Sequence, residues 1–406
     1  MILPWQPAMS FVNARVVTPA GEARSLRFRH AVLAVDEPPR PGDHVVDLEG
    51  RYVLPGLINA HDHLELNHYG QLRPRERYGN AREWIADLAA IIRTSPAIVE
   101  RSRIHLADRL FIGGLKNLLS GVTTVAHHNP LYREFGRQFP VGLIRRFGWA
   151  HSLGLEHGAA GAHGEPGGVV HARHAATPPD APFLVHAAEG VDAEAAAEEQ
   201  ALDARGVLTP NTVLVHGTAI TPRRWEPLFG RGVSLAWCPA SNQCLFGQTV
   251  PMPTLLAQPA SAGRVAIGTD SRLTGAADLL DELRVAASTG VGPEPLLAMV
   301  TAWAARVLRC GDTGLIQPRM RADLMVIPAL GGTAAESLLR CRRSDVALVV
   351  RRGTPVVADP SIGAAFTCRK MPTRPVDVDG RIRLIEAGLA HRITTCLLAE
   401  PGVTVA

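Results

Sequence analysis

The sequence predicts an α/β protein: a (β/α)8 barrel of the TIM type with a small composite β-sandwich domain built from both chain ends. Three observations predict it. Apolar, β-branched segments end one after another on polar residues, at His63, His186, His216 and Asp270. Counting a further strand end at Cys238, the spacings from His186 to Asp270 are 30, 22 and 32 residues, near the ~30 that a strand, a helix and two loops need. Short strands punctuated by Pro and Gly precede Pro55 and return after Gln317.

In chain order, Phe11–Val17, Ala31–Asp36 and the stretch around Val45–Leu48 are the first short strands. Val53-Leu-Pro-Gly-Leu-Ile-Asn-Ala-His-Asp-His then runs as an apolar strand into His61 and His63. Gly121-Val-Thr-Thr-Val leads to His127 and His128, Phe183-Leu-Val to His186, and Val213-Leu-Val to His216. Asp192 caps a helix that ends near Gly206, and the next strand starts at Asn211. Further strand ends fall at Cys238 and, after Val265-Ala-Ile-Gly-Thr, at Asp270. The Ala276–Thr289 helix and the segment Glu294–Leu308 would close the ring. Beyond it come a strand over Ala322–Ile327, a hairpin around Arg352-Gly353 within Val346–Ala358, and a final helix over Ile382–Leu398. These boundaries give a barrel over residues 55–317 and one β-domain from residues 1–54 and 318–406. No internal repeat is visible beyond the βα rhythm.

Composition is that of a globular enzyme, with 46% hydrophobic and 20% charged residues in 406. A formal charge of +4 is too small and dispersed for a nucleic-acid surface. All but two of the 42 basic residues are arginine, the exceptions being Lys116 and Lys370. No run approaches the ~20 apolar residues of a membrane span. Met1-Ile-Leu-Pro-Trp lacks the regions of a signal peptide, so the expected location is the cytoplasm. Six cysteines without Cys-x-x-Cys pairing read as free thiols, Cys238 as a packing residue before Pro239.

Period-two geometry sends His61 and His63 to the same side of an extended chain, where both imidazoles reach one metal ion. His186 and Glu189, three apart past a strand end, can put one group on the metal and the other beside it. Each also has a plainer reading: a hydrogen-bonded core histidine at His186 or His216, a helix N-terminal acid at Glu189, an N-cap at Asp270. Their common position at the catalytic face of a barrel favours chemistry. Three histidines and an aspartate suit Zn²⁺ or Fe²⁺, which lowers the pKa of bound water to roughly 7.

The chain resembles the amidohydrolase superfamily, in its aminohydrolase branch of cytosine and guanine deaminases and chlorotriazine hydrolases. The resemblance rests on Leu54-Pro-Gly-Leu-Ile-Asn-Ala-His-Asp-His, Gly121-Val-Thr-Thr-Val, His186-Ala-Ala-Glu, Cys238-Pro-Ala-Ser-Asn, Gly268-Thr-Asp-Ser with Asp278-Leu-Leu-Asp-Glu-Leu-Arg, and Ala322-Asp-Leu-Met-Val. It implies that His61, His63, His186 and Asp270 bind one divalent metal, zinc or else iron, with Glu189, His216 and Asp270 catalytic. Many members bridge two metals with a lysine at the fourth strand end. Lys116 precedes the Gly121 strand and Lys370 lies beyond the barrel, so a single metal is expected. The implied reaction is hydrolytic deamination of an amino-substituted N-heterocycle, Glu189 protonating a ring nitrogen and His216 steadying the oxyanion. The same machinery acting on a C–Cl bond, a ring amide or an imidazolone is the alternative, and an inactive binding protein on this fold the remaining one.

For the substrate, the expected contacts are Asn67, Tyr69 and Arg73 in the loop after the first strand, one of His127 and His128, then Asn242 and Arg272 at later strand ends. His151–His174, with five histidines among Gly and Ala, reads as a long loop over the site or an insertion. A small molecule is the expected partner, with self-association open.

Overall fold

The computed structural model describes residues 7–136, 138–156 and 167–405. Eight strands pair only in parallel: β1 (Leu57–Asp62), β2 (Val122–His127), β3 (Gly142–Leu143), β4 (Gly148–Ala150), β5 (Phe183–Ala187), β6 (Thr212–His216), β7 (Ser234–Trp237) and β8 (Val265–Ile267). They form a three-stranded sheet, β3-β2-β1, and a five-stranded sheet, β4-β5-β6-β7-β8. Nearly every residue of these strands is buried, as expected of parallel strands covered on both faces. Just past β8 the backbone returns to β1, where the Asp270 N–H donates to the His61 carbonyl at 3.0 Å.

Both chain ends contribute to one nine-stranded sheet. Tyr52–Pro55 lies between Arg15–Thr18, to which it is parallel, and Leu324–Ile327, to which it is antiparallel. Alternation splits these strands between two cores. Tyr52, Leu54, Met325, Ile327 and Val349 face the cluster that also holds the parallel strands. Val53, Leu324, Val326, Leu348 and Val350 face a second cluster with Met9, Phe11 and Phe28. Those last three belong to a four-stranded sheet ordered Val32–Val35, Leu26–Phe28, Met9–Val12, His44–Asp47. Gly56 passes the chain from the nine-stranded sheet into β1, where a Cβ would meet the Thr123 side chain at 2.4 Å.

One expectation fails at the C-terminus. Ile382–Leu398 is not all helix: Arg381–Glu386 is a strand paired antiparallel with Thr373–Val378, and the helix covers only Ala387–Thr395. The cause is the turn Asp379-Gly380, both residues at positive φ, which folds the chain into a hairpin. The same geometry at Arg352-Gly353 makes the expected hairpin between Leu348–Arg351 and Thr354–Ala358. Of the histidine-rich stretch, residues 157–166, with His157 and His163, lie outside the described residues; His171 and His174 sit on the Val169–Ala176 helix. Among the described residues no helix is long and apolar enough to cross a membrane.

Candidate active site

His61 and His63 sit at the end of β1 with Asp62 between them pointing the other way. Asp270 Oδ1 lies 4.0 Å from His61 Nε2 and 3.8 Å from His63 Nε2. The His186 ring, from the end of β5, centres 4.9 Å from His61 and stacks on His63 at 5.5 Å. Nitrogen and oxygen atoms of His61, His63 and Asp270 fall within 4.8 Å of one another, as do those of His61, His186 and His216. Both nitrogens of His61 and Nε2 of His216 are buried without a hydrogen-bond partner among the described residues. Buried imidazole nitrogens are normally satisfied, so these mark a place built for a ligand. Burial and the neighbouring histidines hold His61 and His186 well below the usual range, leaving neutral rings with free lone pairs. The donor set fits a divalent ion of borderline softness.

Two of these groups stand at strained backbone positions. His216 has φ 70° and Asp270 φ 52°, the left-handed region that non-glycine residues rarely occupy. The turn aims each side chain inward from its strand end. Asp270 Oδ2 accepts from Ser241 Oγ at 2.9 Å and Thr274 Oγ1 at 3.3 Å, while Oδ1, on the side of the histidines, accepts from the Ser271 N–H at 2.6 Å. His216 Nδ1 donates to Asn242 Oδ1 at 2.8 Å, and the Asn242 amide nitrogen donates to Thr249. That chain assigns the proton to Nδ1 and the lone pair to Nε2. Glu189 Oε1 lies 3.5 Å from this Nε2. Burial, then the charges of Asp270 and Glu198, raise the Glu189 carboxyl well above the usual range.

A cavity of about 280 Å³ opens over these groups. His63, Glu65, Asn129, His151, His186, Glu189 and Asp270 line its polar end. Its other wall is apolar: Leu72, Leu155, Leu273 and one face of the Ala81–Thr94 helix, with Trp84, Ile85, Leu88 and Ile92. Asn80 caps that helix and also donates to Asp192 at 2.6 Å, while the Ala81 N–H donates to the Glu189 carbonyl at 2.9 Å. The apolar wall is thereby fastened to the segment that carries Glu189.

Of the residues expected to contact substrate, Tyr69 alone lines this cavity. Asn67 is buried, its amide donating to Asp62 at 2.8 Å. Arg73 donates to the Cys244 carbonyl. His127 is buried against Tyr132 and Phe135, and His128 lies beneath His61 and His186 with Nε2 at 2.9 Å from the Ala150 carbonyl. Asn242 orients His216, and Arg272 forms a two-pronged ion pair with Glu400. His151, expected only as part of a loop, and Glu65, outside the expected contacts, both line the cavity. Cys238 is fully buried and burial raises its thiol well above the usual range, so it is packing. The six cysteines are free.

The amidohydrolase family profile matches residues 166–356. A 5-methylthioadenosine/S-adenosylhomocysteine deaminase of Nitratidesulfovibrio vulgaris is 25% identical over 332 residues, covering 70% of this chain and 73% of the relative. One from Halobacterium salinarum is 29% identical over 348 residues, covering 73% and 77%. Among solved structures, a zinc complex of atrazine chlorohydrolase from Arthrobacter aurescens superposes with a TM-score of 0.69 at 19% identity, covering 86% of this chain and 95% of that one. An adenosine deaminase from Xanthomonas campestris with bound zinc gives 0.64 at 19%, covering 90% and 98%.

Proposed function

We propose that this chain, whose residues 166–356 match the amidohydrolase family profile, catalyses hydrolytic deamination of a small amino-substituted N-heterocycle. The enzyme is a metal-dependent hydrolase of carbon–nitrogen bonds other than peptide bonds. One observation carries this: His61 shares one close group with His63 and Asp270 and another with His186 and His216, and His63, His186 and Asp270 line the cavity with Glu189. We read the eight parallel strands as a closed (β/α)8 barrel over residues 55–317. Residues 1–54 and 318–406 form one composite β-sandwich domain beside it, a reading supported by their shared sheet.

His61, His63, His186 and Asp270 would hold one divalent ion, zinc ahead of iron. Bound there, the ion supplies Lewis acidity and a water that is nucleophilic near neutral pH. The chain's own groups do the rest. Glu189 faces the cavity and hands a proton to the ring nitrogen beside the amino-bearing carbon. Asp270, with Oδ2 tied to Ser241 and Thr274, takes the water's proton at Oδ1. His216 enters as an acceptor, because Nδ1 already donates to Asn242. It steadies the negative oxygen at the tetrahedral carbon only once Nε2 holds the proton that Asp270 took from the water, and passage of that proton to the amino nitrogen lets ammonia leave. The apolar helix wall suits a heterocycle that carries an alkyl or thioether group.

The test is ammonia release from zinc-loaded protein supplied with aminopurines, aminopyrimidines, pterins and triazines. The names of the sequence relatives put 5-methylthioadenosine and S-adenosylhomocysteine first in that panel. Ammonia from one of them is the expected result. Fully loaded protein that frees none would overturn the reading, and chloride from a chlorotriazine would move the same machinery to C–Cl bonds.

A further inference from the structure

Behind His61 and His63, on the opposite side of β1, lies a buried ion pair that the proposed reaction does not use. Lys116 Nζ stands 3.1 Å from Asp62 Oδ2, and neither side chain is exposed. In a chain whose other basic residues are all arginine except Lys370, a lysine is kept at this point. The reason is geometric. The ammonium also donates to Asn67 Oδ1 at 2.7 Å and Thr269 Oγ1 at 3.3 Å, so three oxygens close around a compact charge. A planar guanidinium on a longer stem does not fit such a cradle.

The segments joined there are those that present the metal-binding side chains. Asp62 accepts from Asn117 at 2.8 Å and Thr269 at 3.2 Å on Oδ2, and from Asn67 at 2.8 Å on Oδ1. Asn59 Oδ1 accepts from the backbone N–H of His61 at 3.3 Å and of Thr269 at 3.1 Å. The strand end with His61 and His63 and the turn with Asp270 are thus clasped from behind by the Leu106–Leu119 helix, which carries Lys116.

We propose that Lys116 is a positioning residue that sets the aim of His61, His63 and Asp270 through Asp62, Asn67 and Thr269. This rests on the metal-site reading above and predicts a sign. Removing a nearby positive charge should by itself strengthen cation binding. Loss of positioning should weaken it by roughly 10- to 100-fold, the usual effect of disturbing groups that orient metal ligands.

Cobalt(II) is the probe, with affinity read by chelator competition and coordination geometry by the visible absorption band. Lys116→Met and Lys116→Arg should each bind roughly 10- to 100-fold more weakly than the parent, with an altered band. The charge-neutral pair Lys116→Met with Asp62→Asn should fold and still bind weakly. Parental affinity and band in any of these would overturn the proposal. If none of them accumulates, Asn67→Ser decides, since it cuts the clasp and keeps the charge pair: weaker cobalt binding supports the proposal and parental binding overturns it. Parent protein that fails to bind cobalt would instead count against the metal site itself.

Discussion

The strand ends and the four-stranded sheet treat buried polar groups in opposite ways. At the ends of β1, β2 and β6, nitrogens of His61, His128 and His216 are buried without partners among the described residues. In the four-stranded sheet the charges are matched at the margin, Arg27 with Asp43 at 2.7 Å, over an apolar interior where Phe11 meets Phe28 edge to face at 4.8 Å. Unmatched buried polar atoms cost stability unless a ligand uses them. The first region is shaped for binding and the second for holding the molecule together, so substitutions in the two should separate cleanly.

Stripping the metal should have the largest effect. Chelator-treated protein is expected to lose turnover completely and regain it with about one zinc per chain, a stoichiometry set by a four-ligand site and measured by elemental analysis alongside ammonia release. Turnover by verified metal-free protein would erase the contrast. Next, Phe11→Ala should cost about 3–5 kcal/mol in urea unfolding, as for other buried aromatic truncations, with kcat unchanged while the protein is folded. A comparable loss of kcat would couple the two regions. Glu189→Gln should do the reverse, lowering kcat by about 10²-fold or more with zinc content and unfolding midpoint retained; a fully active variant would demote Glu189 to a structural acid.

The smallest effect is electrostatic. The Arg27 guanidinium, by hydrogen bonding, pulls the Asp43 carboxyl down to about 2. A carboxyl depressed in the folded state contributes stability above its unfolded pKa of about 4 and loses it as pH falls through the folded value. Asp43→Asn should therefore be less stable than the parent by about 1–2 kcal/mol at pH 7, with the two curves converging near pH 2. A constant gap across that range would assign the loss to packing rather than charge.

The strand-end residues were readable because an apolar run that stops on a polar side chain is a local signal, and period two decides which neighbours share a face. His61, His63, His186, Glu189, His216 and Asp270 all carry it. Loop residues do not, because a loop side chain goes where its tertiary partner is. Arg73 turns to the Cys244 carbonyl and Arg272 to Glu400, partners 171 and 128 residues away, while Asn67 turns back to Asp62 instead of reaching the cavity. The cavity wall escaped for another reason: Trp84, Leu88 and Ile92 share a face of an amphipathic helix, a pattern that ordinary core packing also produces. At the C-terminus the apolar residues of Arg381–Glu386 were absorbed into the helix that follows, although Asp379-Gly380 already marked a hairpin.

Glu400 is 2% exposed and is gripped by Arg272, two residues beyond Asp270, and by Arg343. The tail of the chain is therefore a strut of the reaction centre. Leu397, just ahead of it, is 71% exposed and within reach of a protease. A single cut there would leave every candidate ligand in the molecule yet free Arg272 from its anchor. Limited digestion should therefore silence the enzyme well before it unfolds.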